Sequence, residues 1–267
     1  MNILGLPVGA GHIFHIARDM AFRMVHRMFP KPAAMIHFVY FSCSRDIELL
    51  CMSLSSLAQS GGARVGRVYI VEDAKGRFND EQRVRLTTII KNLDFHCLGN
   101  IDWASLDTLK TELSAFAIAA KGVHSNDFIA KCDSDILFFS ETKLNEVSVC
   151  SSSFVGDGHY SDYKYAQGGL YFLRAPLAAR LASGVDDGNL SRAIDIAGTI
   201  AEDQVISVMV KNYTQSIWLT RIMLFPNEFE RVNLGNKLVR NEFSAIHFVH
   251  KKSEMPYFFN KIDRSKS

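Results

Sequence analysis

The chain has 267 residues, 48% of them hydrophobic, and a formal net charge of +2. That length buries a sizeable core in one domain with appendages, and the near-balanced charge offers no field for a polyanion, which sets nucleic acid aside as a partner. Five scattered cysteines, Cys43, Cys51, Cys97, Cys132 and Cys150, form no Cys-x-x-Cys pair and read as reduced thiols of a cytosolic protein, and no run of 18 apolar residues offers a membrane span.

Residues 12–29 repeat apolar side chains at helical spacing through Ile13, Ile16, Ala17, Met20, Met24 and Met28. The opposite face sets His12, His15, Arg18, Arg23, His26 and Arg27 against the single acid Asp19. Such a helix suits the anionic surface of an inner membrane, and it also suits docking on its own domain. It is too amphipathic for a cleaved leader. Pro30-Lys-Pro32 ends it, so residues 1–32 are an N-terminal helix and linker, 33–260 the main domain and 261–267 a polar tail.

Strands and helices then alternate. Met35–Phe41 is rich in β-branched and aromatic residues and predicts a strand, Ser42-Cys-Ser-Arg-Asp46 its exit loop, and Ile47–Ser60 a helix closed by Gly61-Gly62. Arg67–Val71 is a second strand, Asn79–Asn92 a helix with Asp80 and Glu81 in its first turn, and Leu93–Cys97 a short third strand. Leu106–Ala120 is a helix leading to the apolar run Phe128–Phe139. This alternation predicts a mainly parallel sheet flanked by helices, with ligands beyond the carboxyl ends of its strands, where the Ser42 loop, Glu72-Asp73 and Asp133 lie. Further on, Tyr165–Leu173 is a strand entered through Gly168-Gly169, whose pairing suggests a backbone approached closely by ligand; Ile194–Lys211 is a helix, and Ile222–Phe225 and Ala245–Val249 are late strands.

The run Phe128–Phe139 carries the most informative residues. Asp133 and Asp135 sit at the polar end of an apolar strand, and in extended chain positions two apart share a face. Two ionised carboxylates that close repel, and a shared proton or a divalent cation resolves the repulsion; oxygen donors favour Mg²⁺ or Mn²⁺. A phosphatase of the haloacid dehalogenase type also uses Asp-x-Asp. There the motif ends the first strand and is followed two residues on by Thr or Val, whereas here it lies mid-chain with Leu137 in that place. A strand-end turn with solvated aspartates is the plainest alternative.

Five segments in one order resemble the GT-A fold nucleotide-sugar glycosyltransferases, most nearly the retaining group of glycogenin and the bacterial lipopolysaccharide galactosyl- and glucosyltransferases. Ile36-His-Phe-Val-Tyr-Phe-Ser42 and the helix after it are similar to that group's opening strand and nucleoside loop, which implies Phe41, Ser42 and Arg45 at the nucleotide. Asp133-Ser-Asp135 matches the metal motif, and Gln167-Gly168-Gly169 resembles a segment near the sugar. Asp203-Gln204 matches an Asp-Gln pair that contacts the transferred sugar. Ile246–Tyr257 resembles a terminal block that supplies a His to the metal and a Lys to the phosphates.

The resemblance implies an α/β fold of GT-A type (Rossmann-like, nucleotide-binding) and a metal-dependent transferase. It would move a hexose from a UDP-sugar to a glycan or lipid-linked glycan, in surface polysaccharide or lipopolysaccharide synthesis. It implies Asp133, Asp135 and His247 as metal ligands, with His250 the rival imidazole, and Lys251 or Lys252 as the phosphate cation. Imidazole in the set favours Mn²⁺ over Mg²⁺. Asp203, Gln204 and Gln167 are the residues expected at the reacting sugar, Asp203 as a general base if the reaction inverts or as a sugar-orienting group if it retains. A non-catalytic nucleotide- or carbohydrate-binding module of the same fold is the contrasting reading. Two departures stand out. The Arg usual in the helix before the metal strand is missing from Ser114-Ala-Phe116, leaving Lys110 or Lys121 to substitute, and the terminal block has Val249-His250 where Gly is usual after the His.

Overall fold

A computed structural model describes residues 33–102, 105–158, 161–162, 164–185, 188–231, 242–248 and 251–264, together with residues 2, 3, 6, 7, 21 and 24. The basic helix of residues 12–29 therefore lies outside the described residues, apart from Ala21 and Met24, which are helical and exposed. His250 and Val249 lie outside them as well.

The first half follows the expected alternation: β1 (Ile36–Ser42), α1 (Ile47–Ser60), β2 (Val65–Asp73), α2 (Asp80–Ile89), β3 (Leu93–Gly99), α3 (Leu106–Ala120) and β4 (Phe128–Asp133). Local chemistry sets the helix starts. The Asn79 side chain accepts from the Gln82 amide while the Gln82 side chain accepts from the Asn79 amide, a reciprocal cap on α2, and Ser105 caps α3 by accepting from Thr108. The second half comprises β5 (Ile136–Phe138), α4 (Thr142–Val149), β6 (Phe154–Asp157), β7 (Leu170–Arg174), α5 (Ala175–Ser183), α6 (Asn189–Ala197), α7 (Glu202–Tyr213), β8 (Ile217–Thr220), β9 (Met223–Leu224), α8 (Pro226–Arg231), β10 (Ala245–His247) and α9 (Met255–Arg264).

Seven strands form one sheet in the order β8-β6-β7-β4-β1-β2-β3. Every pairing is parallel except those of β7, which runs against both β6 and β4. Helices cover both faces, so β1 buries side chains in two directions: Ile36, Phe38 and Tyr40 enter one apolar cluster and Val39 the other. That is why its sequence is a continuous apolar run, each buried aromatic or branched side chain contributing about 1.5–3 kcal/mol. A smaller sheet, β9-β10-β5, packs over a third apolar cluster that includes Phe139, Phe229, Phe248 and Phe258.

The structure corrects four expectations. The run Phe128–Phe139 is interrupted after Asp133, and its second part leaves the main sheet for the small one. The expected helix Ile194–Lys211 is two helices, because Gly198 takes a left-handed φ of 65° that ends α6. The strand entered through Gly168-Gly169 begins only at Leu170. The last helix continues past Lys261 to Arg264, held by the buried Ile262. Six elements, α4, α5, α8, α9, β6 and β8, gave no recognised pattern in the sequence.

Candidate active site

Parallel pairing brings the strand ends to one edge. In register, Phe41 of β1 lies opposite Asp133 of β4, and Ser42 opposite Glu72 of β2. Because β7 is antiparallel, its entry rather than its exit reaches this edge, and the Asp133 amide donates to the Gly169 carbonyl at 3.0 Å. The small sheet adds the last piece: β10 pairs with β5 so that His247 faces Ile136, directly after Asp135, and the Phe248 amide donates to the Asp135 carbonyl at 3.0 Å. Asp133 and Asp135 thus converge through the turn between β4 and β5, and not through strand alternation as expected.

These edges surround a cleft of about 690 Å³. Its lining includes Phe41, Ser42 and Arg45 from the β1 end, Asp133, Asp135, His247 and Lys252, and Gln167, Gly168, Gly169, Glu202 and Asp203. Ligand atoms of Asp133, Asp135 and His247 all lie within 4.8 Å of one another. His247 Nε2 is 3.4 Å from Asp135 Oδ1, yet that oxygen is buried with no hydrogen-bond partner. A buried carboxylate oxygen left short of a donor, beside a second acid and an imidazole, fits a divalent cation. The two acids shift in opposite directions: burial raises Asp133, whereas the contact with His247 and the charges of Lys252 and Lys131 outweigh burial at Asp135 and lower it.

Beneath the metal corner lies a lysine that sequence reasoning missed. Lys131 sits two residues before Asp133 on the same face of β4 and is only 3% exposed. Its ammonium is 2.6 Å from Asp133 Oδ1 and 3.8 Å from Glu202 Oε1, and it donates to the Gly168 carbonyl. Burial works against the charged form, but Asp133, Glu202 and Glu112 together hold Lys131 above the ordinary lysine range. Glu112, fully enclosed on α3, accepts from the Tyr171 hydroxyl, and burial pushes its carboxyl up to about 8. Both had a signal: a cation inside an apolar strand at alternating distance from an aspartate, and an acid at helical spacing among Leu109, Leu113 and Phe116. Lys110 and Lys121, the expected substitutes for the missing arginine, are exposed and do not line the cleft; the lysines that do are Lys131 and Lys252.

Other expected residues divide. Lys252 lines the cleft, while Lys251 is 44% exposed and paired with Glu254 at 3.3 Å. Asp203, in the first turn of α7, faces the cleft; burial and the neighbouring Glu202 raise its carboxyl. Gln204 is not among the residues lining the cleft, and its amide donates to Asp203 Oδ1 at 2.8 Å. The paired glycines answer to protein neighbours: a Cβ on Gly169 would lie 2.6 Å from the His247 ring, and one on Gly168 2.8 Å from Glu202. Gln167 Nε2 lies 3.0 Å from His247 Nδ1.

No protein-family model matches the chain, and no curated protein matches it in sequence. Solved structures do. The galactosyltransferase LgtC, in complex with donor and acceptor sugar analogs, superposes with a TM-score of 0.53 at 10% identity, over 79% of this chain and 86% of that one. An active-site mutant of LgtC gives the same TM-score and coverage at 8% identity. The apo bifunctional glycosyltransferase WbbM gives 0.52 at 8% identity over 82% of this chain, which spans less than half, 46%, of WbbM. The chain has the GT-A fold of these enzymes, and at such identities the likeness speaks for the fold while the reaction must be argued from the site.

Proposed function

We propose that the protein is a metal-dependent glycosyltransferase that moves a hexose from a UDP-sugar to a carbohydrate acceptor, in bacterial surface polysaccharide or lipopolysaccharide synthesis. The observation that carries this reading is the meeting of Asp133, Asp135 and His247 in the cleft at the strand ends. These three residues would hold Mn²⁺ or Mg²⁺, and the bound ion supplies Lewis-acid stabilisation of the departing diphosphate. Lys252 and Arg45, both lining the cleft, add positive charge for the phosphates. Phe41 offers an aromatic face to the base, with Ser42 beside it. Glu202 and Asp203 project from the start of α7 as acceptors for sugar hydroxyls, with the Lys131 ammonium 3.8 Å from Glu202 Oε1.

Retention is the favoured stereochemistry, through the Asp203-Gln204 match. One observation favours inversion: Asp203 is largely buried at the cleft wall with its carboxyl raised, which suits a base taking the acceptor's proton. The anomeric configuration of the product, read by NMR, decides between them. The protein would work in the cytoplasm, peripheral to the inner membrane through residues 12–29; no helix among the described residues is long and apolar enough to cross a membrane.

The test is a donor screen. UDP-sugars should be hydrolysed slowly, and should raise the melting temperature, only when Mn²⁺ is present. Thermal stabilisation by UDP-sugars that survives both EDTA and Asp135→Ala would sink the transferase and leave a binding module. Phosphate release from small phosphate esters without a sugar donor would point to the phosphatase.

A further inference from the structure

His247 borders the cleft and is held by four neighbours. Its ring lies against Gly169, where no Cβ would fit, and stacks on Phe225 at 6.4 Å between centroids and 27° between planes. Its Nε2 lies 3.4 Å from Asp135 Oδ1, and its Nδ1 lies 3.0 Å from the Gln167 side-chain nitrogen. Gln167 is itself buried and anchored through its backbone amide, which donates to the Asp157 carbonyl at 2.7 Å. The imidazole therefore has no freedom to answer a ligand by swinging; what can change is which nitrogen carries the proton.

Without an ion, the Gln167 NH₂ donates to Nδ1 and Nε2–H lies beside the Asp135 carboxylate without making a hydrogen bond to it, so Asp135 Oδ1 stays unpartnered. An ion between Asp133, Asp135 and His247 needs the lone pair of Nε2, which moves the proton to Nδ1. Nδ1–H then faces an NH₂ group, donor against donor, unless the amide turns over and presents its carbonyl. A half-turn about the last side-chain bond of Gln167 does this without moving any backbone atom. Glutamine is the neutral side chain of this length that serves both states, donor in one and acceptor in the other.

We infer that Gln167 is a positioning residue for the metal corner, an amide that reverses when the ion enters and so sets the tautomer of His247. The inference rests on the metal reading of the site and assigns Gln167 to the imidazole rather than to the sugar. Gln167→Glu supplies only the acceptor, the form that suits the loaded corner, and should bind Mn²⁺ several-fold more tightly than the parent protein. Gln167→Leu supplies neither and should lose about tenfold or more, the range seen when an outer partner of a metal-bound His is removed. Calorimetric titration of the full-length protein and both variants with Mn²⁺ alone measures this without turnover. In ¹⁵N-histidine spectra, Zn²⁺ as a diamagnetic probe should move the His247 proton from Nε2 to Nδ1.

Melting temperatures without metal show whether each variant is folded. A parent protein that takes up Mn²⁺, with Gln167→Glu no tighter than Gln167→Leu, overturns the inference and leaves the metal reading standing. A parent protein that takes up no Mn²⁺ and is matched by Asp135→Ala overturns both. If a purely structural glutamine were all that is needed, both variants would weaken uptake in step with lost thermal stability.

Discussion

Two neighbouring parts of the cleft solve the problem of buried charge in opposite ways. At the metal corner, Asp135 Oδ1 is enclosed without a hydrogen-bond partner. On the floor, the carboxylates of Asp133 and Glu202 are matched by a cation the chain supplies itself, Lys131. One part leaves a carboxylate oxygen unpartnered and the other supplies its own counter-charge. Burying an ion is tolerated only with a partner, so a side chain's partners show which of its neighbours are structural and which await ligand.

The contrast predicts different penalties. Asp135→Ala should cost turnover on the order of 10²–10³-fold, as removal of one preorganised electrostatic group does, and abolish the Mn²⁺ requirement of whatever activity remains. Its stability to urea should be nearly unchanged or higher; a large loss of stability would show that the corner, too, is structural. Lys131→Met should do the reverse, costing about 3–5 kcal/mol by leaving buried carboxylates uncompensated. Adding Glu202→Gln should recover part of that loss, and urea titrations of the single and double variants measure the recovery. If Lys131→Met is as stable as the parent, the floor is not self-contained.

Gly169→Ala sharpens the boundary between the two parts. The new Cβ meets the His247 ring at 2.6 Å, so Mn²⁺ uptake should weaken several-fold by titration while the Lys131 contacts persist.

Glu112 gives the smallest effect, in pH dependence. Its folded carboxyl is raised to about 8 from an ordinary value of 4.5, so the folded state binds a proton that the unfolded chain has released. The associated stability is present below about pH 4.5 and is lost as pH rises toward 8. The parent protein's melting temperature should therefore fall between pH 5 and 8 more steeply than that of Glu112→Gln; equal slopes would show that Glu112 is ionised throughout.

The β1–α1–β2–α2–β3–α3–β4 succession was legible because strands buried on both faces are apolar runs and the helices between them are capped by Asn79 and Ser105. Asp133, Asp135 and His247 were legible as residue types that metal chemistry requires. The meeting of His247 with the two acids was expected from the resemblance alone, since it depends on β10 pairing with β5 across most of the second half of the chain, a contact no local pattern encodes. Gly198 could have signalled the break before α7, but one glycine in an apolar periodic stretch is weak evidence on its own. Lys131 was passed over because a cation in an apolar strand reads as an interruption until the neighbouring acids are seen in space.

The strand that carries His247 has a consequence for how the protein is made. The two aspartates are synthesised near mid-chain, and the imidazole that joins them arrives on β10, which has no place to dock until β5 has turned away from β4. A nascent chain that has emerged only as far as α8 contains every strand of the main sheet and the residues of the lysine floor, but lacks His247. On the metal reading, loading would follow synthesis of β10, and an ion bound there would fasten the small sheet to the large one.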